Sequence, residues 1–378
     1  MNVSIVKSNG YSLPGLKTDI ANALSLAGFD PYSLKNKQVL LKPNLLRAVA
    51  PEKAVTTHPL FIRAIAEIAL DHGARVAVGD SPGFGNTNQC LKGCRVIEGL
   101  KGLNVTIADF ATPVTVKNER GTFKTFIIAK GVFESEAIIN LPKLKTHGQM
   151  YLTGATKNMF GIVPGLLKGK KHLESGTDYS LFARMLVELC YFKKPVVSII
   201  DGIVAMDGNG PGGGDPYDLG LIVTGTDTIA VDRICAAILG FNPENIPIFA
   251  QAKKNALGTG DLAAITVTGE SIESVRVKNF RPARQGFSPL TMVPEFIANP
   301  LRNHLSFKPR VDQKKCRLCG ECIAMCPVSC ITNENAKIVM DYEKCIRCFC
   351  CQEICPHKAI TAKRPLVGKI AAKILFRD

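Results

Sequence analysis

From Met1 to about Phe280, short β-branched runs alternate with stretches of helical periodicity. Val3–Val6 predicts a strand, and Asp19–Ala27 a helix closed by Gly28. Gln38–Leu41 is a second strand. Thr57 or His58 then caps a helix with Pro59 in its first turn, ending at His72 and Gly73. Arg75–Gly79 reads as a strand before a glycine-rich loop, with further strands at Val105–Ala108 and Ala137–Leu141. Ser180–Cys190 is helical, Val196–Ile200 and Leu221–Thr224 are extended, and Thr228–Leu239 is helical before Gly240. This alternation argues for an α/β domain over residues 1–280 with a mainly parallel sheet. Thr112–Ile128 departs from it and reads as a hairpin turning at Asn118–Gly121.

Residues 281–311 change character. Prolines at 282, 289, 294, 300 and 309 exclude a long helix, yet Val293, Phe296, Ile297, Leu301 and Leu305 keep a helical spacing. The segment is expected to be a linker that packs on something. After Pro365, Leu366, Ile370 and Ile374 recur on one face while Lys369, Lys373 and Arg377 take another. Residues 363–378 therefore read as a basic amphipathic tail.

Composition narrows the classes. With 46% hydrophobic and 21% charged residues in a chain of 378, extensive disorder is excluded. No apolar run reaches the ~18 residues of a membrane span. The first residues lack a secretory pattern, so a cytoplasmic protein is expected. The linker and tail supply more than half of the net charge of +15. Without tryptophan or a basic stripe with stacking aromatics, that charge does not suggest nucleic acid. Basic and apolar together, these segments point to an acidic partner or a peripheral membrane contact.

Ten of the fourteen cysteines fall between Cys316 and Cys355, and they form a repeat. Cys316, Cys319, Cys322 and Cys326-Pro327 recur 29 residues later as Cys345, Cys348, Cys351 and Cys355-Pro356. Three cysteines spaced by three wind a loop around an iron–sulfur cube, and the fourth reaches the other cluster. The expected assignment is crossed: Cys316, Cys319, Cys322 and Cys355 on one 4Fe–4S cluster, Cys345, Cys348, Cys351 and Cys326 on the second. Zinc is the rival, but it takes ligands in pairs rather than in two such quartets. Residues 312–362 resemble a bacterial-type two-cluster ferredoxin, a small α+β module. Cys330 matches Ala359 of the other half, so a small buried residue is expected there. Cys350 is an extra thiol beside a ligand, and Cys190 and Cys235 read as core.

The larger domain must carry any chemistry on a substrate. Polar residues collect after its strands: Lys42 and Asn44, Asp80 and Ser81, Lys143, Lys145 and His147, and Asp201. In open α/β sheets, ligands bind at the carboxyl ends of the strands. Lys157, Asn158, Lys168 and His172 follow nearby, and Asp207–Gly214 is read as a flexible wall. The cation excess suggests a small molecule bearing carboxylate or phosphate. His147 with Asp80, Asp201 or Asp207 is a candidate proton-transfer pair or mononuclear metal site. Gly208, Gly210 and Gly213 match a dinucleotide spacing, but Pro216 and a strand follow where a helix is needed.

The runs LKPNLL at 41–46, THP at 57–59, VGDSPG at 78–83, INLPKLKTH at 139–147, ATKNMFG at 155–161 and DGIVAMDGNGP at 201–211 resemble the domain-of-unknown-function-362 family. That resemblance implies an iron–sulfur protein of anaerobic microbes and no settled reaction. The leading expectation is a redox enzyme in which clusters and a redox partner protein exchange electrons with an anionic substrate. A non-catalytic electron carrier and a redox-gated enzyme of another class stay open.

Overall fold

Apolar runs without a polar face, such as Val39–Leu41 and Ala137–Leu141, need cover on both sides, which parallel sheets provide. The computed structural model describes residues 1–165, 167–175, 178–283 and 307–363. The linker rows from Val293 to Leu305 and the tail after Lys363 lie outside the described residues.

The α/β region contributes β1 (Asn2–Lys7), β2 (Gln38–Pro43), β3 (Arg75–Val78), β4 (Val105–Ile107), β5 (Pro113–Lys117), β6 (Thr125–Ala129), β7 (Ala137–Leu141), β8 (Lys143–His147), β9 (Tyr151–Thr153), β10 (Val197–Asp207), β11 (Asp215–Gly225) and β12 (Thr266–Gly269). One sheet runs β12-β1-β11-β10-β7-β2-β3-β4, with β8 paired to β10 and β9. The joins β1–β12, β10–β7, β10–β8, β2–β7, β2–β3 and β3–β4 are parallel, so the sheet is mainly parallel as expected. β5 and β6 form the separate hairpin read from Thr112–Ile128.

Alternate residues of each strand feed opposite cores, because side chains alternate across a sheet. Val39, Leu41 and Ile139 pack with Leu16, Ile20 and Phe61 of the helices Leu13–Leu26 and Pro59–Asp71. Leu40, Ile138 and Ile200 pack on the other side with Phe182, Ile229 and Ile248 of the helices Tyr179–Phe192, Thr228–Ile238 and Pro247–Lys254. Three layers result. The first helix starts at Leu13, before the expected Asp19, because Pro14 is suited to a first turn. Cys190 and Cys235 are buried in this core.

The cysteine-rich module is small and α+β. β13 (Lys308–Val311) pairs with β16 (Ile360–Lys363), and β14 (Ile331–Glu334) with β15 (Lys337–Met340). Short helices at Glu321–Ala324 and Cys350–Ile354 follow the two cysteine loops.

His58 caps the helix Pro59–Asp71: its Nδ1 accepts the Leu60 N–H at 3.3 Å, and its ring stacks on Tyr11 with centroids 3.6 Å apart. Burial pushes the imidazole down to about 4. A histidine whose pKa is depressed on folding stabilises fully above its unfolded value, and that contribution fades as pH falls towards the folded one. His58→Asn keeps a cap acceptor without the titration. Thermal unfolding from pH 7 down to about pH 5 should show wild type losing about 2 kcal/mol more than the variant.

Candidate functional site

The carboxyl edge of the sheet buries four ammonium groups. Lys42, at the end of β2, places Nζ 2.8 Å from Asp80 Oδ1, and Asp80 Oδ2 accepts the Leu45 N–H at 2.8 Å. A Cβ on Gly161 would collide with this carboxylate, so only glycine lets the chain pass there. Lys143, on β8, donates to Asp201 Oδ2 at 2.9 Å and to the Tyr11 hydroxyl at 2.8 Å. Tyr11 in turn donates to Asp201 Oδ1 at 2.7 Å. Lys145 meets only neutral acceptors, Asn44 Oδ1 at 2.6 Å and the Val55 carbonyl at 2.8 Å. Lys168 likewise donates to Ser81 Oγ at 2.9 Å and to the carbonyls of Ser81 and Pro82. Burial pushes Lys145 and Lys168 down to about 7, since each ammonium lacks a paired carboxylate.

Above this floor lies a cavity of about 100 Å³ shared by the α/β region and the module. Asn44, Asp80, Ser81, Lys145, His147, Lys157, Asn158 and Lys168 line one side; Met325, Cys350, Glu353 and Ile354 line the other. Lys157 makes cation–π contacts with Phe160 and Phe182, at 5.4 and 5.9 Å, and no hydrogen bond or ion pair among the described residues. His147 Nδ1 accepts N–H groups from Gln149 and Met150, which places the proton of the neutral ring on Nε2. Nε2 faces Glu353 Oε1 at 3.1 Å but off the line of a hydrogen bond. His147 Nε2, Thr153 Oγ1 and Asn158 Oδ1 are all buried without a hydrogen-bond partner among the described residues. Three orphaned polar atoms and an unpaired lysine in one cavity are what a polar anionic ligand would satisfy.

Glu353 is the functional residue that sequence reasoning missed. Burial opposes its ionisation, yet the facing His147 ring, with its Nε2–H turned toward it, and the Lys157 ammonium hold its carboxyl at about 2. His172 itself is driven down to about 3 by burial, with its ring stacked on Phe182.

The module is held by polar contacts around this carboxylate. Arg47 donates to the carbonyls of Ile354 and Gly212, Gln352 to Asn209 Oδ1 at 2.9 Å, and Lys358 to Asp215 at 3.0 Å. The wall expected to be flexible, Asp207–Gly214, is instead a clamp. Asp207 takes two bonds from the Arg281 guanidinium, at 2.8 and 2.6 Å, and a third from the Arg281 backbone N–H, and a Cβ on Gly212 would strike the Glu353 carbonyl. Asp207 is thereby removed as the partner of His147; the carboxylate facing that ring is Glu353. Lys42, Lys143 and Asp201 do not line the cavity; they brace its floor and flank.

The cysteines gather around two small pockets. Cys316, Cys319, Cys322 and Cys355 line the first; Cys326, Cys345, Cys348 and Cys351 line the second, with Cys330 and Cys350. Backbone N–H groups of Cys330 and Ala359 point at Cys326 Sγ and Cys355 Sγ, both at 3.4 Å. N–H donors aimed at thiolate sulfur fit iron–sulfur ligation. Cys330 and its counterpart Ala359 are both buried, as expected.

A three-layer α/β domain joined to a cysteine-rich module of this kind defines an iron–sulfur protein. A model described as domain of unknown function (DUF362) matches residues 39–237, and one described as a 4Fe-4S dicluster domain matches residues 308–356. The chain belongs to the DUF362 family and binds 4Fe–4S iron. It is 34% identical over 264 residues to the thylakoid-associated protein sll1697 of Synechocystis sp., covering 70% of this chain and 81% of that protein. Among solved structures, the lactate racemase apoprotein from Thermoanaerobacterium thermosaccharolyticum aligns with a TM-score of 0.40 at 13% identity. The alignment takes in 59% of this chain and about half, 53%, of that one. No helix among the described residues is long and apolar enough to cross a membrane.

These contacts separate bracing lysines from cavity lysines. Lys143→Met should lose roughly 3 kcal/mol of stability, because it leaves Asp201 buried without its cation. Lys157→Met breaks no hydrogen bond and should stay within about 1 kcal/mol of wild type. Denaturant unfolding of both variants measures the contrast.

Proposed function

We propose that the chain is a redox enzyme holding two 4Fe–4S clusters, which passes electrons between a redox partner protein and an anionic small molecule in the cavity beside Glu353. Cys316, Cys319, Cys322 and Cys355 hold one cluster in this reading, and Cys345, Cys348, Cys351 and Cys326 the other. The supporting observation is a shared wall: Cys350 lines both the second cysteine pocket and the cationic cavity. Each bound cluster supplies one-electron exchange, so the pair can supply two electrons. The chain's own residues do the rest. Lys157, with Lys145 and Lys168 behind it, attracts the carboxylate or phosphate. Thr153 and Asn158 offer their unused oxygens to its polar groups, and Phe160 covers an apolar part. His147 directs its Nε2–H into the cavity, where it can donate a hydrogen bond to the bound anion. The reading includes a cytoplasmic location with peripheral membrane contact through the basic segments, and a relative described as thylakoid-associated is compatible with the membrane contact.

Anaerobically purified protein should contain about eight irons and eight acid-labile sulfides per chain. Cys326→Ser should damage the cluster of the Cys345–Cys351 loop and spare the one nearer in sequence, as read by electron paramagnetic resonance. Zinc without labile sulfide would sink the cluster assignment.

The ligand reading has its own test. Calorimetric titration with inorganic phosphate and with malonate should show affinity lost in the Lys145→Met/Lys157→Met double variant. The loss should exceed the ~1 kcal/mol ceiling of exposed ion pairs. Unchanged affinity for both probes in the double variant would take these lysines out of the site.

A further inference from the structure

The two halves of the module present the same loop in opposite settings. Leu318 and Arg347 are equivalent in the repeat and share a left-handed backbone, with φ of +55° and +56°. Arg347 is 5% exposed and Cys348, Phe349 and Cys350 after it are buried, whereas Leu318 is 39% exposed and Cys319 beside it is exposed as well. The chemistry diverges too. Lys314 and Arg317, both exposed, stand where the inner loop has Glu343 and Ile346, while Lys315 is matched by the equally exposed Lys344. Two acids stand nearby, Asp312, which accepts the Lys314 N–H at 3.1 Å, and Glu321, within electrostatic reach of the Arg47 guanidinium, so three cations against two acids leave the loop net positive.

We propose that this outer loop is the docking face for an acidic electron-carrier protein. An exposed apolar residue ringed by like charges suits a small transient interface, in which charge steers the encounter and a short apolar contact seats it. The step moves one electron and no atom. The reduced carrier loses an electron, and the cluster held by Cys316, Cys319, Cys322 and Cys355 gains it. The second half instead contributes Cys350, Glu353 and Ile354 to the cationic cavity. This inference rests on the two-cluster reading above.

The probe is a reduced acidic bacterial ferredoxin, mixed with the full-length holoprotein at low ionic strength. Lys314→Glu/Lys315→Glu/Arg317→Glu should weaken binding by calorimetry and slow cluster bleaching by the ferredoxin about tenfold or more. Added salt should slow wild type and not the variant. Leu318→Asn, which keeps every charge, should weaken binding with the salt dependence intact. Photoreduced deazaflavin, which needs no docking face, should reduce all forms equally, showing that the clusters are whole. Unchanged affinity and rate in the triple variant would overturn the proposal. So would binding to phosphatidylglycerol vesicles that the triple variant loses while its ferredoxin kinetics stay normal, since the loop would then serve a membrane. Failure of the cluster reading is visible separately, as a wild-type iron content far from two cubes.

Discussion

Burying an ammonium group costs several kcal/mol unless acceptors surround it, and this chain buries four at one sheet edge. Much of the local architecture is the set of acceptors that burial demands. Lys42 ties β2 to the loop after β3 through Asp80, and Lys143 joins β8, β10 and Tyr11 through Asp201. Lys145 fixes Asn44 and Val55, while Lys168 gathers the carbonyls of Ser81 and Pro82. Only two of the four have a carboxylate partner. The positive charge left over is what makes the cavity a place for an anion.

That residual charge also explains how the two parts of the chain are joined. Glu353 reaches from the module into the cationic cavity, and its carboxylate remains ionised there because Lys157 and the facing His147 N–H offset burial. Around it Arg47, Asn209 and Asp215 accept or supply hydrogen bonds that only the docked module can complete. The cavity is therefore built from both parts. Removing the module would expose its lysines to water and raise their pKa values, so the site's electrostatics depend on the docked arrangement.

The layered α/β order was legible because strand alternation and glycine helix ends are local signals. The cysteine quartets were legible because their spacing repeats. The polar residues after the strands were also found, but their division of labour was not. Nothing in the run from Lys143 to His147 says that Lys143 braces Asp201 while His147 faces the cavity. That division follows from β8 pairing with β10, a join between segments 58 residues apart at Lys143 and Asp201. Glu353 escaped notice for a different reason. It belongs to a segment whose cysteines account for its sequence, and its partners lie two hundred residues away.

A signal for Glu353 was nonetheless present, in the differences between the two halves of the repeat. Gln352 and Glu353 stand where the first half has Ile323 and Ala324, and Cys350 stands where it has Glu321. A cluster loop that only needed to hold iron would have no use for these exchanges. Each of the three residues touches the α/β region or lines the shared cavity. In the first half Ala324 is exposed, and the loop before it carries its charge outward. Once duplication has supplied two equivalent loops, residues that break the equivalence mark what each loop faces. Here one half has acquired groups for the inner cavity, and the other has acquired cations for the solvent side.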